Sequence, residues 1–201
     1  MAADVDICNL ALQKLGALRI AALTENSRNA RSCNNLYTRV RDAVVRAHPW
    51  SFAIKRVILA PSVTPPAFDY LYSFPMPVDC LRILPPNDND LDWKPEGRNI
   101  LTNSLRGSAI LPVGTAASSV PQLALIYIAQ ITDPNQFDVL FIEAFAAMLA
   151  YEMAEEITQS NTKKSDQMVN YKYWIAEARR ANAFENLAGQ PPEDTWVTAQ
   201  L

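Results

Sequence analysis

The placement of proline constrains the fold of this 201-residue chain more than any other feature of its sequence. Of the 14 prolines, twelve lie between Pro49 and Pro134, and the other two are Pro191 and Pro192. Residues 1–48 and 135–190 contain none. Because proline lacks a backbone N–H and clashes with the preceding helical turn, only the proline-free segments are free to form long helices. The central segment is expected to form strands and turns.

Hydrophobic periodicity places the individual elements. Four helices are predicted, at residues 3–15, 27–47, 133–158 and 162–188. Strands are predicted at residues 52–59, 68–74, 79–84, 99–102 and 122–131. The expected fold class is α+β: a four-helix bundle with a β-strand module inserted between helices 2 and 3, and an extended C-terminal tail.

These elements define the expected domains. Residues 1–48 and 133–189 form the helical bundle, and residues 49–132 form the inserted β module. Residues 190–201 form the extended tail, in which Trp196 is the one large apolar anchor. The Asp133-Pro134 pair is expected to cap helix 3, since aspartate accepts from free N–H groups and proline is favoured in a first helical turn.

Helix 3 is apolar nearly all round. Between Phe137 and Tyr151, only Asp138 and Glu143 interrupt its apolar surface. A helix of this kind is buried on more than one side. The sequence therefore places it either at the centre of the bundle or in a subunit interface, and does not decide between the two.

Charge divides the chain unevenly. Residues 1–60 hold nine Lys/Arg and four Asp/Glu, or +5, whereas residues 61–201 hold nine and seventeen, or −8. Helix 2 carries most of its positive charge along one arc, at Arg28, Arg31, Arg39 and Arg46. Such an arc is either a solvated face or an electrostatic docking surface. An acidic group, Glu152, Glu155 and Glu156, follows near the end of helix 3.

The segment that joins helix 2 to the first strand is rich in aromatic residues. His48 and Pro49 end the helix, and Trp50 and Phe52 follow. We predict that these four residues form the joint between the two modules, with both rings packed under the β module. His48 is the one histidine of the chain. A helix-capping role is expected for it, because a catalytic base would need a nucleophile or a metal nearby.

Several function classes lack support in the sequence. The cysteines, Cys8, Cys33 and Cys80, are too widely spaced for a zinc motif and fit buried thiols in a reducing compartment. Five glycines form no phosphate-binding fingerprint. No uncharged apolar stretch is long enough to cross a membrane. We expect no enzymatic activity, cofactor or metal, and no contact with a membrane.

An ordered set of segments resembles one protein family. The segments that carry the resemblance are Ile7–Ala17, Ala30–Ala60, Tyr72–Leu84, Glu96–Asn103, Leu125–Ser160 and Ala176–Glu185. Together they are similar to the head-to-tail adaptors of short-tailed bacteriophages, the tail tubular protein A family. The resemblance covers nearly all of the chain in the expected order.

The resemblance implies a structural function. Family members form a homo-oligomeric, twelvefold ring beneath the portal protein, continue the DNA channel without reading its sequence, and carry the tail nozzle protein. The protein would be made in the host cytoplasm and reside in the virion tail. The helical bundle would lie next to the portal, the β module would point down the tail, and the C-terminal tail would grip the portal.

A rotational ring also needs two dissimilar lateral faces on each subunit. We expect the arginines of helix 2 and the acidic end of helix 3 to provide such a pair. Two alternatives remain open: a head-completion or closure protein that carries no nozzle, and a cell-wall hydrolase acting during entry. The hydrolase would require a cleft with two convergent carboxylates.

Overall fold

The computed structural model describes residues 3–84, 92–103 and 122–185. Within these residues the fold is α+β, with four α-helices and two small antiparallel sheets. The helices are α1 (Asp4–Leu15), α2 (Arg28–Arg46), α3 (Val139–Thr158) and α4 (Asn161–Glu185). The strands are β1 (Ile54–Leu59), β2 (Tyr72–Pro75), β3 (Cys80–Ile83), β4 (Trp93–Glu96), β5 (Asn99–Thr102) and β6 (Leu123–Ala129). The predicted tail at residues 190–201, with Trp196, lies outside the described residues.

Local signals set the ends of the first two helices. Gly16 closes α1 with a left-handed backbone, at φ +71°, as the sequence predicts for a helix-terminating glycine. Ser27 begins α2, and its side chain accepts a hydrogen bond from the Ala30 N–H. Both ends therefore follow from residues that lie next to them in the chain.

The start of α3 differs from the prediction. Asp133 and Pro134 begin a separate short 3₁₀ turn, Pro134–Gln136. The chain becomes extended at Phe137, and α3 begins at Val139 after a new cap. That cap is Asp138, whose carboxylate accepts from the N–H groups of Leu140 and Phe141. A second capping aspartate thus displaces the helix start by several residues.

The apolar helix α3 lies among the other helices, and it contacts α1, α2 and α4. Its buried side chains point in several directions and include Phe141, Phe145, Leu149 and Met153. Most of this apolar surface is thus covered within one chain, which favours the central position of the two that the sequence allowed. Val139 in the first turn is 74% exposed.

Two three-stranded sheets follow α2. One has the order β1-β6-β3 and the other β2-β5-β4. Strand β4 was not predicted, because Pro95 lies within it. It forms an edge of its sheet, where a missing N–H is tolerated. A two-residue turn joins β4 to β5, and Gly97 supplies its positive φ of 58°.

The helices and both sheets share one core. Their buried apolar residues form a single cluster that runs from Ile7 in α1 to Phe74 and Ile100 in the second sheet. Polar contacts also connect α2 to the first sheet: Gln130 Nε2 donates to Asp42 Oδ2 at 2.7 Å. None of the helices in the described ranges has the length and apolar character that a bilayer crossing requires.

Candidate functional site

The joint between α2 and β1 is held by a residue of α4. Asn182 Oδ1 accepts hydrogen bonds from the Ser51 backbone N–H at 2.9 Å and from the Ser51 hydroxyl at 2.7 Å. Its amide nitrogen lies 3.3 Å from His48 Nε2 and 3.4 Å from the Pro49 carbonyl. One buried amide on α4 therefore contacts three positions of the segment that leads from helix to strand.

The joint aromatic residues pack against α3. The Trp50 ring is fully buried and meets Phe141 edge-on at 5.2 Å between centroids. Phe52 contacts Phe141 at 5.0 Å and Phe137 at 5.7 Å. The sequence led us to expect both rings under the β module, whereas Phe141 lies in the first turn of α3 and Phe137 just before it. The joint is thus anchored to the helices on two sides, by α3 and by α4.

The surroundings of His48 at this joint disfavour its charged form. Burial lowers the pKa of its imidazole, and the positive charges of Arg179 and Arg82 lower it further. The ring also lies 4.7 Å from the Trp50 ring, in an edge-on arrangement. Protonation would place a cation beside two arginines and would remove the ring nitrogen as an acceptor for Asn182. His48 therefore acts as part of the joint in this structure.

The arginine arc of α2 meets the acidic end of α3 within the same chain. Arg39 pairs with Glu152 at 2.7 Å, and Arg28 donates to the backbone carbonyl of Glu156. The Glu156 carboxylate accepts a hydrogen bond from the Ser32 hydroxyl. Because α2 packs against α3, the two charged groups lie side by side. The two groups thus contact each other within one chain, and their pairing across neighbouring subunits stays a prediction.

The remaining charged residues of that prediction also have partners in their own chain. Arg31 donates to Asn26 Oδ1 at 2.9 Å, and Arg46 donates to the Leu81 carbonyl of β3 at 2.7 Å. Glu155 pairs with Lys164 of α4 at 2.7 Å, which lowers the pKa of the glutamate. Each arginine has five N–H donors, so these contacts leave capacity for a partner molecule. A role for them in assembly stays a prediction.

The outer face of α4 is the most apolar exposed helical surface in the described chain. Val169, Tyr173 and Phe184 are 66%, 59% and 81% exposed. Successive helical residues are about 100° apart, so these three side chains fall within an arc of about 60°. The buried side of α4, with Ile175 and Ala178, lies roughly opposite. Helix α4 thus has apolar residues on two faces, and only the inner one is covered.

A groove of about 660 Å³ lies on the second sheet. Asp69 and Glu96 line it together with Lys94, which lies 3.9 Å from Glu96. Asp69 has a positive φ of 68°, and its carbonyl accepts a hydrogen bond from Asn103. Two carboxylates therefore line one groove, and the hydrolase alternative requires in addition that they converge on one point. The described residues include no group of three or more metal-ligating side chains.

Sequence reasoning missed the two polar residues on the buried face of α4. Besides Asn182, Gln167 lies in this face and donates to the Lys14 carbonyl at the end of α1. Their spacing from Ile175 and Ala178 is helical, so periodicity alone could have placed both of them inward.

No protein-family model matches the chain, and no curated protein matches it at a significant level.

Proposed function

We propose that this protein is the head-to-tail adaptor of a short-tailed bacteriophage. In this role, copies form a ring beneath the portal, and the ring connects the capsid to the tail nozzle and continues the DNA channel. The four helices act as one bundle beside the portal, and residues 49–132 act as an inserted β module that carries the nozzle. The chain order, with all described strands between α2 and α3, supports that division.

The outer face of α4 carries the proposal. A ring subunit must cover apolar surface on its neighbours, since exposed contiguous apolar surface marks interaction sites. Val169, Tyr173 and Phe184 supply exposed apolar side chains on one face of the helical part, and the exposed Arg180 lies between Tyr173 and Phe184 on that face. We place it against a neighbouring copy in the ring. The charged arc of α2 is then available to the portal, through the exposed side of Arg39.

The segments between the strands offer a second group of exposed apolar residues for a different partner. Val63, Phe68 and Leu71 lie in the segment between β1 and β2, and Val78 precedes β3. A ring-forming helical part and separate exposed apolar residues beside the strands suit a protein with two partners. The proposed second partner is the nozzle.

The test is to mix the purified protein with its cognate portal protein and to image the particles by electron microscopy. We expect a ring of twelve copies on each portal, and nozzle protein that binds only to portals carrying this ring. A ring that binds the portal but never the nozzle would indicate a closure protein instead.

The groove with Asp69 and Glu96 calls for a separate enzymatic test. The purified protein is incubated with peptidoglycan, and soluble fragments are measured. We expect none. Fragments released by the wild-type protein but not by the Glu96→Gln variant would replace the adaptor proposal with the hydrolase alternative.

A further inference from the structure

Three arginines from different parts of the chain surround β3. Arg98, in the turn between β4 and β5, donates from Nη2 to the Pro77 carbonyl at 2.6 Å, just before the strand. Arg46, the last residue of α2, donates from Nη1 to the Leu81 carbonyl within the strand at 2.7 Å. Arg82 follows Leu81 directly, and all three arginines are exposed. We call Arg46, Arg82 and Arg98 the β3 cluster.

The β3 cluster is compact. Its two anchoring carbonyls belong to Pro77 and Leu81, whose Cα atoms lie within about 15 Å of each other. The actual separation is smaller, because a turn brings the Cys80 N–H to the Pro77 carbonyl at 3.1 Å. Strand β3 lies at an edge of its sheet, since the strand order is β1-β6-β3. Its outer edge is therefore not covered by another strand of the described residues.

The chain does not neutralise the positive charge of the β3 cluster. Two of the arginines bond to carbonyl oxygens, which carry no net charge, and none of the three forms an ion pair with a carboxylate of the described residues. Asp79 precedes β3 and is paired with Lys55 at 2.9 Å. Asp42 lies one turn before the end of α2 and is paired with Arg41, also at 2.9 Å. The cluster thus presents three positive charges on a chain whose net charge is −3.

We propose that the β3 cluster binds the phosphate backbone of double-stranded DNA without reading its sequence. A guanidinium group stays charged and donates paired hydrogen bonds to a phosphate. Each has five N–H donors, so the bonds to the two carbonyls leave donors for a ligand. A duplex carries one negative charge about every 1.7 Å along its axis. Cations this close together therefore meet several phosphates at once, which an acidic protein segment with separated carboxylates matches less well.

The other arginines of α2 have a different electrostatic environment. Arg39 is paired with Glu152, and Arg28 lies beside Glu156. The acidic end of α3 thus offsets the positive charge of the arc, whereas the carboxylates next to the β3 cluster already have cations of their own. Arg28, Arg31 and Arg39 are also exposed. Replacing these three removes the same charge as replacing the cluster, so they supply a matched control.

The experiment measures binding of the full-length protein to a labelled duplex of about 20 base pairs by fluorescence anisotropy. Between about 50 and 200 mM salt, three phosphate contacts give a slope of about −2.7 in log K against log salt, or about a 40-fold loss of affinity. The Arg46→Gln/Arg82→Gln/Arg98→Gln variant should bind at least about tenfold more weakly at the lower salt, with a flatter slope. The Arg28→Gln/Arg31→Gln/Arg39→Gln variant should stay within about twofold of the wild type.

A second variant separates charge from folding. The Arg46→Lys/Arg82→Lys/Arg98→Lys variant keeps three positive charges and should keep most of the salt dependence. Loss of the salt dependence in this variant, with a melting temperature equal to that of the wild type, would overturn the proposal.

Three further results would overturn the proposal. They are a wild-type protein that does not bind the duplex at about 50 mM salt, equal losses in the two glutamine variants, and tighter binding of poly-L-glutamate than of DNA. The last result would assign the cluster to an acidic protein partner. The inference goes beyond the adaptor proposal, because the assay needs neither the portal nor the ring. A protein that forms rings on the portal but does not bind DNA would contradict this inference alone.

Discussion

Asn182 and Ser51 are 131 residues apart in the chain and are joined by two hydrogen bonds to one amide oxygen. Through them, the C-terminal half of α4 holds the segment in which α2 ends and β1 begins. His48 and Pro49 contact the amide nitrogen of the same side chain. The position of the first sheet relative to the helices therefore depends on a residue from the last helix.

Replacing Asn182 by alanine should destabilise the protein. The change removes the acceptor of two hydrogen bonds in a part-buried site, which costs about 1–3 kcal/mol of unfolding free energy. Urea unfolding followed by tryptophan fluorescence measures the loss. The control is Lys172→Ala, at an exposed position of the same helix, which should cost less than about 0.5 kcal/mol. Equal losses in the two variants would contradict the role given to Asn182.

His48 should make stability depend on pH. Its pKa in the folded protein lies below the ordinary value of 6.5, so the unfolded chain binds more protons in the interval between the two values. The contribution of neutral His48 to the unfolding free energy is complete above pH 6.5. It falls as the pH drops toward the lowered pKa of His48. Melting temperatures recorded from pH 7.5 to 5 should show this decline.

The control for the pH experiment is the His48→Gln variant, which keeps an acceptor but does not titrate. Its melting temperature should change less across the same interval. If both proteins respond to pH alike, other groups cause the dependence and the account of His48 fails.

Trp50 should be the most costly residue of the joint to truncate. Its ring is fully buried against Phe141, and its Nε1–H donates to the Val44 carbonyl at 3.2 Å. Trp50→Ala should lower the unfolding free energy by about 3–5 kcal/mol. Phe184→Ala, on the exposed face of α4, should change it by about 0.5 kcal/mol or less. Calorimetry of the isolated proteins compares the two, and a costly Phe184→Ala would show that this ring is covered within the chain.

Two ion pairs of similar length should contribute differently to the unfolding free energy. Lys14 and Glu143 connect α1 to α3 at 2.7 Å with little exposure, so removing one partner leaves a part-buried charge. Lys14→Met should cost about 1.5–3 kcal/mol. Arg39 and Glu152 are also 2.7 Å apart, but Arg39 is mostly exposed, and Arg39→Gln should cost about 1 kcal/mol or less. Chemical denaturation of both variants measures the two losses of unfolding free energy. A larger loss for Arg39→Gln than for Lys14→Met would contradict the prediction.

Local features of the fold could be predicted from the sequence, and long-range contacts could not. Gly16 and Ser27 set helix ends through neighbouring backbone groups, and the predicted bounds of these two helices lie within one residue of the observed ones. Asp133 failed as the cap of α3 because Asp138 provides a second cap after an extended Phe137. Hydrophobic periodicity cannot show which of the two aspartates, Asp133 or Asp138, caps the helix.

The charged arc of α2 also shows that contacts between distant parts of the chain could not be predicted from the sequence. A helical wheel shows that Arg28 and Arg39 lie away from the apolar stripe, but it does not show what they face. The structure places the end of α3 beside them.

The adaptor proposal is tested most directly by the mass of the complex that the protein forms with its cognate portal. Mass photometry of wild-type mixtures should show portal particles that gain twelve copies of the chain. A Val169→Glu/Phe184→Glu variant should fail to complete the ring of twelve on the portal, because it places charges on the face of α4 that meets the neighbouring copy. The control variant, Val63→Glu, carries its charge on the strand part and should bind as the wild type does. A wild-type protein that stays monomeric beside unoccupied portals would contradict the proposal.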